Sequence, residues 1–369
     1  MLQSPPAEPG MREEEVDTPA LLVDLDAMES NLDRMGAFCA AAGVQLRAHA
    51  KTHKSPVVAH WQAARGAVGQ CVQKVGEAEI LAFGGVPDIL VSNEVVSPRK
   101  LSRLAALASL AEVAVCADDA GAIARIEAAA QAAGRRLRVL VEIDVGAGRC
   151  GVAPGADALA LARRIAASPH LRFGGLQAYH GGAQHLRSLA EREEAVGTAA
   201  DATRRTVEML AAAGLPCPIV GGAGTGTFAL EAATGVFTEL QAGSYVFMDA
   251  DYGRNDPAPD FRQSLFVLAT VMSAARDGIA VVDCGHKGIA VDSGLPLVHG
   301  REDIAYTGAS DEHGQLVLEA SADRLRVGER LRLVPGHCDP TVDRYDWYVG
   351  LRGGRVELVW PVAARGMMA

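Results

Sequence analysis

Eight short β-type runs alternate with Ala-rich helical segments between residues 44 and 244, and this rhythm limits the possible folds more than any other feature. The intervening segments, such as ALALARRIAAS and ATRRTVEMLAAAG, carry apolar residues at three- and four-residue spacing and end in Gly or Ser-Pro. Eight such alternations predict an α/β fold with a (β/α)8 barrel rather than an open sheet. The predicted strands are VQLRAHA (44–50), VGQCV (68–72), DILVSN (88–93), EVAVCAD (112–118), RVLVEIDV (138–145), GGLQAYH (174–180), CPIVGG (217–222) and ELQAGS (239–244).

The pattern changes near residue 262. From there the runs are longer and richer in β-branched residues, as in SLFVLATVMSA and RVELVWPVAA, and Gly- and Asp-rich turns separate them. We therefore predict a barrel over 26–261 and a C-terminal all-β domain over 262–369. The segment 1–25, a leader plus the apolar run TPALLVDL, can belong to either unit, and packing on the β domain is one option. A chain of 369 residues is long enough for two domains.

Composition excludes several classes of protein. Hydrophobic residues make up 49% of the chain and charged residues 22%, which is typical of a folded globular protein. The net charge of -10, with no basic run longer than a pair, argues against nucleic-acid binding. No apolar run approaches the roughly 18 residues that cross a bilayer, and the N-terminus is not signal-like, so we expect no membrane segment and a cytoplasmic location. Seven widely spaced cysteines without a CxxC motif predict reduced thiols.

Polar residues follow the predicted strands at the ends where barrel enzymes place their chemistry. Polar strand ends also occur simply because strands emerge into solvent, but a lysine, a glycine-rich turn and a tyrosine together favour a functional site. The candidates are His49, Lys51, Gln73, Asn93, Arg149, Tyr179, His180, Gly221, Gly222, Gly224, Thr225, Gly243 and Ser244.

Two glycine-containing segments, GGAGTGT (221–227) and AGSY (242–245), follow the seventh and eighth strands, where barrels commonly bind phosphate. A flexible loop is the alternative interpretation. Lysine accounts for only five of the 35 basic residues, and one of them, Lys51, follows the first strand. A lysine amine on the same rim as a phosphate site suggests pyridoxal phosphate, with Lys51 forming the Schiff base.

The segment LVPGHCDPT holds a second group of interest, His337 and Asp339, at the end of a β run. Period-2 alternation places both on one side and Cys338 on the other, so that an imidazole and a carboxylate can bind one divalent cation. A hydrogen-bonded turn is the alternative. Two protein ligands would leave positions open for water and substrate, which is typical of a catalytic metal.

From about residue 17 to the C-terminus the chain resembles the D-threonine aldolase and 3-hydroxy-D-aspartate aldolase group of pyridoxal-phosphate enzymes. This group shares the alanine racemase-like fold with the metal-dependent D-serine dehydratases. The resemblance implies a homodimer that acts on a small molecule. It is carried by RAHAKTHKSP, CVQKVGEAE, VSNEVV, VEIDVGAGRCGV, LQAYHGGAQH, GGAGTGT, TELQAGSYVFMDADYG, SDEHG and VPGHCDPT.

The resemblance also implies roles for individual residues. Lys51 is the Schiff-base lysine, His337 and Asp339 are the metal ligands with Asp311 nearby, and His185 lies close to the substrate hydroxyl. Similar dehydratases carry Cys where this chain has Asp339, which favours the aldolase branch. A His plus carboxylate site suits manganese or magnesium, with cobalt or zinc as alternatives. The residues assigned to the cofactor are Gln73, Arg149, Tyr179, Thr225, Gly243, Ser244 and Tyr252.

The expected activity is cleavage of a D-3-hydroxy amino acid to glycine and an aldehyde or glyoxylate. D-threonine, D-phenylserine and 3-hydroxy-D-aspartate are the candidate substrates. VDSGLPL, DWYVG and VWPVAARG look closer to the hydroxyaspartate aldolases, but they do not establish that a second carboxylate is bound. The alternatives are a dehydratase acting on D-serine or 3-hydroxy-D-aspartate, an amino-acid racemase, and a non-catalytic cofactor carrier, against which the β domain counts.

Overall fold

The computed structural model describes residues 3–369, so the first two residues of the predicted leader lie outside it. It contains a closed eight-stranded parallel barrel and a separate nine-stranded, mostly antiparallel sheet. The predicted fold class is therefore confirmed. Within residues 3–369, no helix combines the length and the apolar character that crossing a bilayer requires.

Strand β1 (Ala20–Asp24) and helix α1 (Leu25–Ala42) precede the barrel. The barrel strands are β2 (Gln45–His49), β3 (Gly69–Val72), β4 (Asp88–Glu94), β5 (Glu112–Ala117), β6 (Leu137–Glu142), β7 (Leu171–Gln177), β8 (Ile219–Gly222) and β9 (Glu239–Leu240). The helices that follow them are α2 (Pro56–Ala63), α3 (Val75–Phe83), α4 (Pro98–Leu107), α5 (Ala120–Ala132), α6 (Ala156–Ala166), α7 (Leu189–Ala212), α8 (Phe228–Ala233) and α9 (Ala250–Gly253). Short 3-10 helices lie at Glu13–Glu15, Gly182–His185 and Ser244–Val246.

Helix ends follow local sequence signals. The Asp24 carboxylate accepts a hydrogen bond from the Ala27 N–H and begins α1, which ends at Gly43 with φ at 67°, a conformation that glycine adopts without strain. Ser188 and Glu191 form a reciprocal capping box at the start of α7. Buried apolar side chains of the helices then pack on the outer face of the barrel strands, so each strand end is held at a fixed height.

The second sheet consists of the C-terminal strands plus β1. The elements are β10 (Leu265–Arg276), β11 (Ile279–Val282), β12 (Leu297–Val298), β13 (Ile304–Ala309), β14 (Gly314–Leu318), β15 (Arg330–Val334), helix α10 (Cys338–Val342), β16 (Trp347–Arg352) and β17 (Arg355–Pro361). The order in the sheet is β13-β14-β11-β10-β1-β16-β17, with β15 pairing to β10 and β12. Strand β1 pairs antiparallel with β10 and parallel with β16, so the apolar run that could belong to either unit contributes a strand to this sheet.

A buried arginine reinforces the closure of the barrel. Only two residue pairs join β2 to β9, namely Gln45 with Glu239 and Leu46 with Leu240. Arg47 on β2 is 2% exposed, and its guanidinium donates to Glu239 at 2.7 Å and to Asp88 at 2.8 Å. A guanidinium that donates to two carboxylates satisfies charges that would otherwise be costly to bury. Arg47 therefore ties the first barrel strand to the last.

Replacing Arg47 by Met should destabilise the protein by about 3–5 kcal/mol, because the Glu239 carboxylate would stay buried without its partner, whereas Asp88 keeps its ion pair with Arg138. The measurement is urea unfolding followed by circular dichroism. Arg34→Met is the matched control: it removes an ion pair with Asp260 between two exposed side chains, and should cost less than about 1 kcal/mol. Equal losses in the two variants would contradict this account of barrel closure.

Candidate active site

A cavity of about 610 Å³ opens at the C-terminal ends of the barrel strands, and we call it the barrel cavity. It collects residues from segments far apart in sequence, because all parallel strands end at the same rim. Asn93 and Gly224 line it, whereas His180, Gly221 and Gly222 do not. It is also lined by the predicted residues Lys51, Gln73, Arg149, Tyr179, His185, Thr225, Gly243, Ser244 and Tyr252.

Lys51 lies just beyond the end of β2 and forms an ion pair with the carboxylate of Asp339. Burial lowers the pKa of the Lys51 amine, but the neighbouring Asp339 carboxylate outweighs this effect and raises it overall. In turn, although burial raises the pKa of Asp339, the charges of Lys51 and His337 lower it well below the usual value. The ion pair brings the β domain into contact with the barrel rim.

His49 lies beside Lys51 and is buried. Burial and the positive charge of Lys51 lower the pKa of the imidazole well below its usual value, so the ring is neutral at neutral pH. Its Nε2 lies 3.0 Å from Nε2 of Gln73, and since the amide nitrogen can only donate, the imidazole accepts this hydrogen bond. Gln73 is therefore fixed by His49 in the wall of the barrel cavity.

The glycine-rich loops pack closely against the rim. A Cβ on Gly243 would lie 2.7 Å from the backbone carbonyl oxygen of His49, so this position requires glycine. A Cβ on Gly224 would lie 2.5 Å from Oε1 of Gln184, so a larger residue there would displace the Gln184 side chain. Oγ1 of Thr225 accepts a hydrogen bond from the backbone N–H of Tyr245, which leaves the hydroxyl hydrogen available for another acceptor. An amine, a free hydroxyl donor and glycine backbone on one cavity fit the aldehyde and phosphate of pyridoxal phosphate.

His185 has a carboxylate partner that the sequence analysis missed. Nδ1 of His185 lies 2.5 Å from Asp251, which also pairs with Arg187. Burial raises the pKa of Asp251, but hydrogen bonds from His185 and Arg187 prevail and lower it to about 2. An ionised carboxylate on Nδ1 orients the ring and leaves Nε2 to exchange protons in the barrel cavity. Asp251 lies within the quoted motif TELQAGSYVFMDADYG, which was the available signal.

A second cavity, of about 480 Å³, lies between the barrel rim and the β domain; we call it the interdomain cavity. Lys51 and Gln73 line it as well as the barrel cavity, and His337 and Asp339 face them from the β domain. Nε2 of His337 lies 4.0 Å from Asp339, while its Nδ1 lies 2.8 Å from Asp292. A histidine with one ring nitrogen on a carboxylate and the other free is the usual arrangement for a metal ligand, so these residues fit a divalent cation.

The reason given above for the proximity of His337 and Asp339 is wrong. Strand β15 ends at Val334, and α10 begins at Cys338 with His337 as its N-cap residue, so the segment is the start of a helix. The Cys338 N–H donates to Asp249 at 3.0 Å, which anchors the segment to the barrel. The two side chains share a cavity because of this turn and not because of strand alternation.

Asp311 is not beside the metal candidates. Its carboxylate pairs with His286 at 2.9 Å and with Lys287, and it lines neither cavity. The carboxylate next to His337 within the chain is that of Asp292. Within residues 3–369 of one chain, Asp311 therefore does not lie near the metal candidates, contrary to the expectation. The hairpin between β13 and β14 carries it to the outer edge of the sheet.

Another group of potential ligands, Glu94, Asp118 and Cys150, was not anticipated. Their ligand atoms all lie within 4.8 Å of one another near the barrel rim. Burial, with a contribution from Glu94, raises the pKa of the Cys150 thiol to about 11, so sulfur is protonated at neutral pH. A protonated thiol is a poor metal ligand, and His337 with Asp339 remains the better donor pair.

A buried hydrogen-bonded chain holds the glycine-rich loop in place. Nε2 of Gln184 donates to Thr227 at 2.7 Å, and the Thr227 hydroxyl donates to Glu231 on α8 at 2.7 Å. Burial raises the pKa of Glu231 to about 7. In the unfolded chain this pKa is about 4.3, so between these values the folded state binds more protons and stability falls as the pH rises.

Glu231→Gln keeps an acceptor for Thr227 and removes this titration. The variant's free energy of unfolding relative to the unmodified protein should therefore increase by roughly 2–3 kcal/mol between pH 5 and pH 9. Urea unfolding at several pH values measures this difference. Glu193→Gln, at an exposed position on α7, is the control and should leave the pH dependence unchanged. A constant difference between Glu231→Gln and the unmodified protein would show that Glu231 is ionised throughout.

Comparison with known proteins agrees with this architecture. The model of the alanine racemase N-terminal domain matches residues 23–251, and that of a putative serine dehydratase domain matches residues 264–351. A 3-hydroxy-D-aspartate aldolase of Paracoccus denitrificans (strain Pd 1222) is 49% identical over 98% of this chain and 95% of its own length. A D-threonine aldolase of Arthrobacter sp. is 46% identical over 98% of this chain and 96% of its own length.

A solved structure gives the same answer. The crystal structure of D-threonine aldolase from Filomicrobium marinum superposes with a TM-score of 0.98, with 48% identity and complete coverage of both chains. The fold, the rim lysine and the glycine-rich loops define an enzyme of the alanine racemase-like class. The chain belongs to the family of 3-hydroxy-D-aspartate aldolase and D-threonine aldolase within that class, and it is a carbon–carbon lyase.

Proposed function

We propose that the protein cleaves D-3-hydroxy amino acids to glycine and an aldehyde, using pyridoxal phosphate and a divalent metal. The observation that carries the proposal is the contact between Lys51 on the barrel rim and Asp339 on the β domain. It places an amine suited to the cofactor beside a His–carboxylate pair suited to a metal. The printed names of the relatives support the same substrate class.

Pyridoxal phosphate would be held at the barrel cavity. Lys51 would attach it, and Gly224, Thr225, Gly243 and Ser244 would bind its phosphate through backbone N–H groups and hydroxyls. When bound, the cofactor supplies an electron sink for the carbon left negative by cleavage of the Cα–Cβ bond. Opposite the loops, the Arg149 guanidinium lies 5.9 Å from the centre of the Tyr179 ring, and both side chains face this cavity.

The metal would be held by His337 and Asp339 in the interdomain cavity. Asp292 fixes the His337 ring through Nδ1 and so keeps Nε2 directed toward Asp339. A hard cation such as manganese or magnesium suits these ligands, with cobalt or zinc as alternatives. When bound, it supplies Lewis acidity that lowers the pKa of the substrate hydroxyl.

His185 is the residue that would remove the hydroxyl proton. Its ring lines the barrel cavity, and Asp251 stabilises the positive charge that the ring gains when Nε2 accepts a proton. The ring also lies beside that of Tyr252, with 5.9 Å between ring centres and 30° between ring planes. His185 is therefore held in position before substrate arrives.

The proposal is tested by assaying the purified enzyme on D-threonine, D-phenylserine and 3-hydroxy-D-aspartate, with glycine, aldehyde or glyoxylate, keto acid and enantiomer measured separately. We expect stoichiometric glycine and aldehyde or glyoxylate. Lys51→Ala should lose activity together with the visible absorbance of the bound cofactor, because Lys51 is the residue that would attach the cofactor. A keto acid as the main product would make the protein a dehydratase, and the enantiomer would make it a racemase.

Asp339→Cys tests which chemistry the metal site supports. The softer thiolate should shift the preference from manganese toward zinc and lower aldehyde production at least about tenfold, with at most a trace of keto acid. Activity and metal content are measured after loading each metal separately. Full aldehyde production with the original metal preference would show that Asp339 is not a ligand.

The expected homodimer and the cytoplasmic location stay predictions. A dimer would help if the partner covered the rim of the barrel cavity, since the carbon left negative by bond cleavage needs protection from water.

A further inference from the structure

Five lysine and arginine side chains line the two cavities, and two of them are in ion pairs. Lys51 pairs with Asp339, and Lys54 pairs with Glu77 at 3.2 Å and with Asp343 at 2.8 Å. The other three have no carboxylate partner within residues 3–369. A cation without a carboxylate partner is available to bind an additional anion.

Lys74 is such a cation. It lines both the barrel cavity and the interdomain cavity, it is half-buried, and its amine is in no ion pair with any residue of the range 3–369. Its backbone is fixed, because the Lys74 N–H donates to the carboxylate of Glu77 at 3.1 Å at the start of α3. The structure thus holds the main chain of Lys74 in place and leaves its charge without a partner.

The other unpaired cations are less suited to a ligand that spans both cavities. Arg149 lines only the barrel cavity, where its guanidinium lies over Tyr179. Arg344 lines the interdomain cavity but not the barrel cavity, and its guanidinium donates to the backbone carbonyls of Pro340 and His286. Lys74 alone among these three residues faces both spaces.

We propose that Lys74 binds a second carboxylate on the substrate, so that the enzyme prefers dicarboxylic 3-hydroxy amino acids such as 3-hydroxy-D-aspartate. This inference rests on the proposed function. The substrate amine belongs near Lys51, and its hydroxyl belongs near His337 and Asp339. Because Lys74 lines both cavities, it is then adjacent to the substituent that the substrate carries on Cβ.

Electrostatics favour an unpaired cation at this position for such a substrate. The interdomain cavity is lined by four acidic side chains: Glu77, Asp292, Asp339 and Asp343. Lys51 and Lys54 are already in ion pairs with three of them, so neither lysine is free to bind a second carboxylate. An unpaired ammonium attracts the second carboxylate of a dicarboxylic substrate, whereas the methyl group of D-threonine carries no charge and gains nothing from it.

The test compares Lys74→Met with the unmodified holoenzyme on 3-hydroxy-D-aspartate and D-threonine. For 3-hydroxy-D-aspartate, kcat/KM should fall about 10- to 100-fold, mainly through a higher KM. The reason is that the variant loses a charge-assisted hydrogen bond between residue 74 and the second carboxylate of the bound substrate. For D-threonine, kcat/KM should stay within about threefold. Lys74→Arg should restore part of the difference. Lys100→Met is the matched control: Lys100 shares a neighbouring shallow pocket with Lys74 but lines neither cavity.

A binding measurement separates this inference from the proposed function. D-aspartate carries the second carboxylate but no hydroxyl, and D-alanine carries neither. Calorimetry on the holoenzyme should show tighter binding of D-aspartate than of D-alanine, and Lys74→Met should abolish that preference. If this result is found but no substrate is cleaved, the aldolase proposal fails and the carboxylate site stands. An equal loss for both substrates, or no loss for either, overturns the role of Lys74.

Discussion

The candidate site depends on the closure of the barrel, and closure depends on Arg47. Backbone pairing between β2 and β9 covers only two residue pairs, so the buried guanidinium of Arg47 and its Glu239 partner add a strong tie between these strands. Closure brings the rim end of β2 next to the rim ends of β8 and β9. Lys51 then faces the glycine-rich segments across one cavity, although they begin 170 positions after it in the sequence. An ion pair buried in the lower barrel therefore positions the chemistry at the rim.

The metal candidates reach the barrel through contacts of a different kind. Strand β1, which leads directly into α1, lies in the middle of the C-terminal sheet and fixes that sheet relative to the barrel. Asp249, at the end of the barrel sequence, accepts the Cys338 N–H, and the Tyr348 hydroxyl donates to the backbone carbonyl of His53. These links place α10 beside the rim, so the amine and the metal pair come from different units yet occupy one site.

Apolar periodicity and strand ends were enough to predict the barrel and most of its rim. Those signals are local: a short β-type run followed by a polar residue can be recognised within ten positions. Two of the missed features depend on long-range contacts, namely the pairing of Asp251 with His185 and that of Asp292 with His337. The helix at His337 is different, because Pro340 in the segment HCDPT is typical of a first helical turn and is a local signal.

A carboxylate and a thiol at position 339 would differ in protonation state as well as in their softness as metal ligands. The charges of Lys51 and His337 lower the pKa of Asp339, so it is ionised before any metal arrives. The adjacent Cys338 shows the opposite behaviour, because burial raises the pKa of its thiol well above the usual value. A cysteine in place of Asp339 would have to release a proton when metal binds, whereas Asp339 binds a cation without releasing one. The carboxylate thus adds no proton release of its own to metal binding above the acidic range, and it leaves proton transfer to His185.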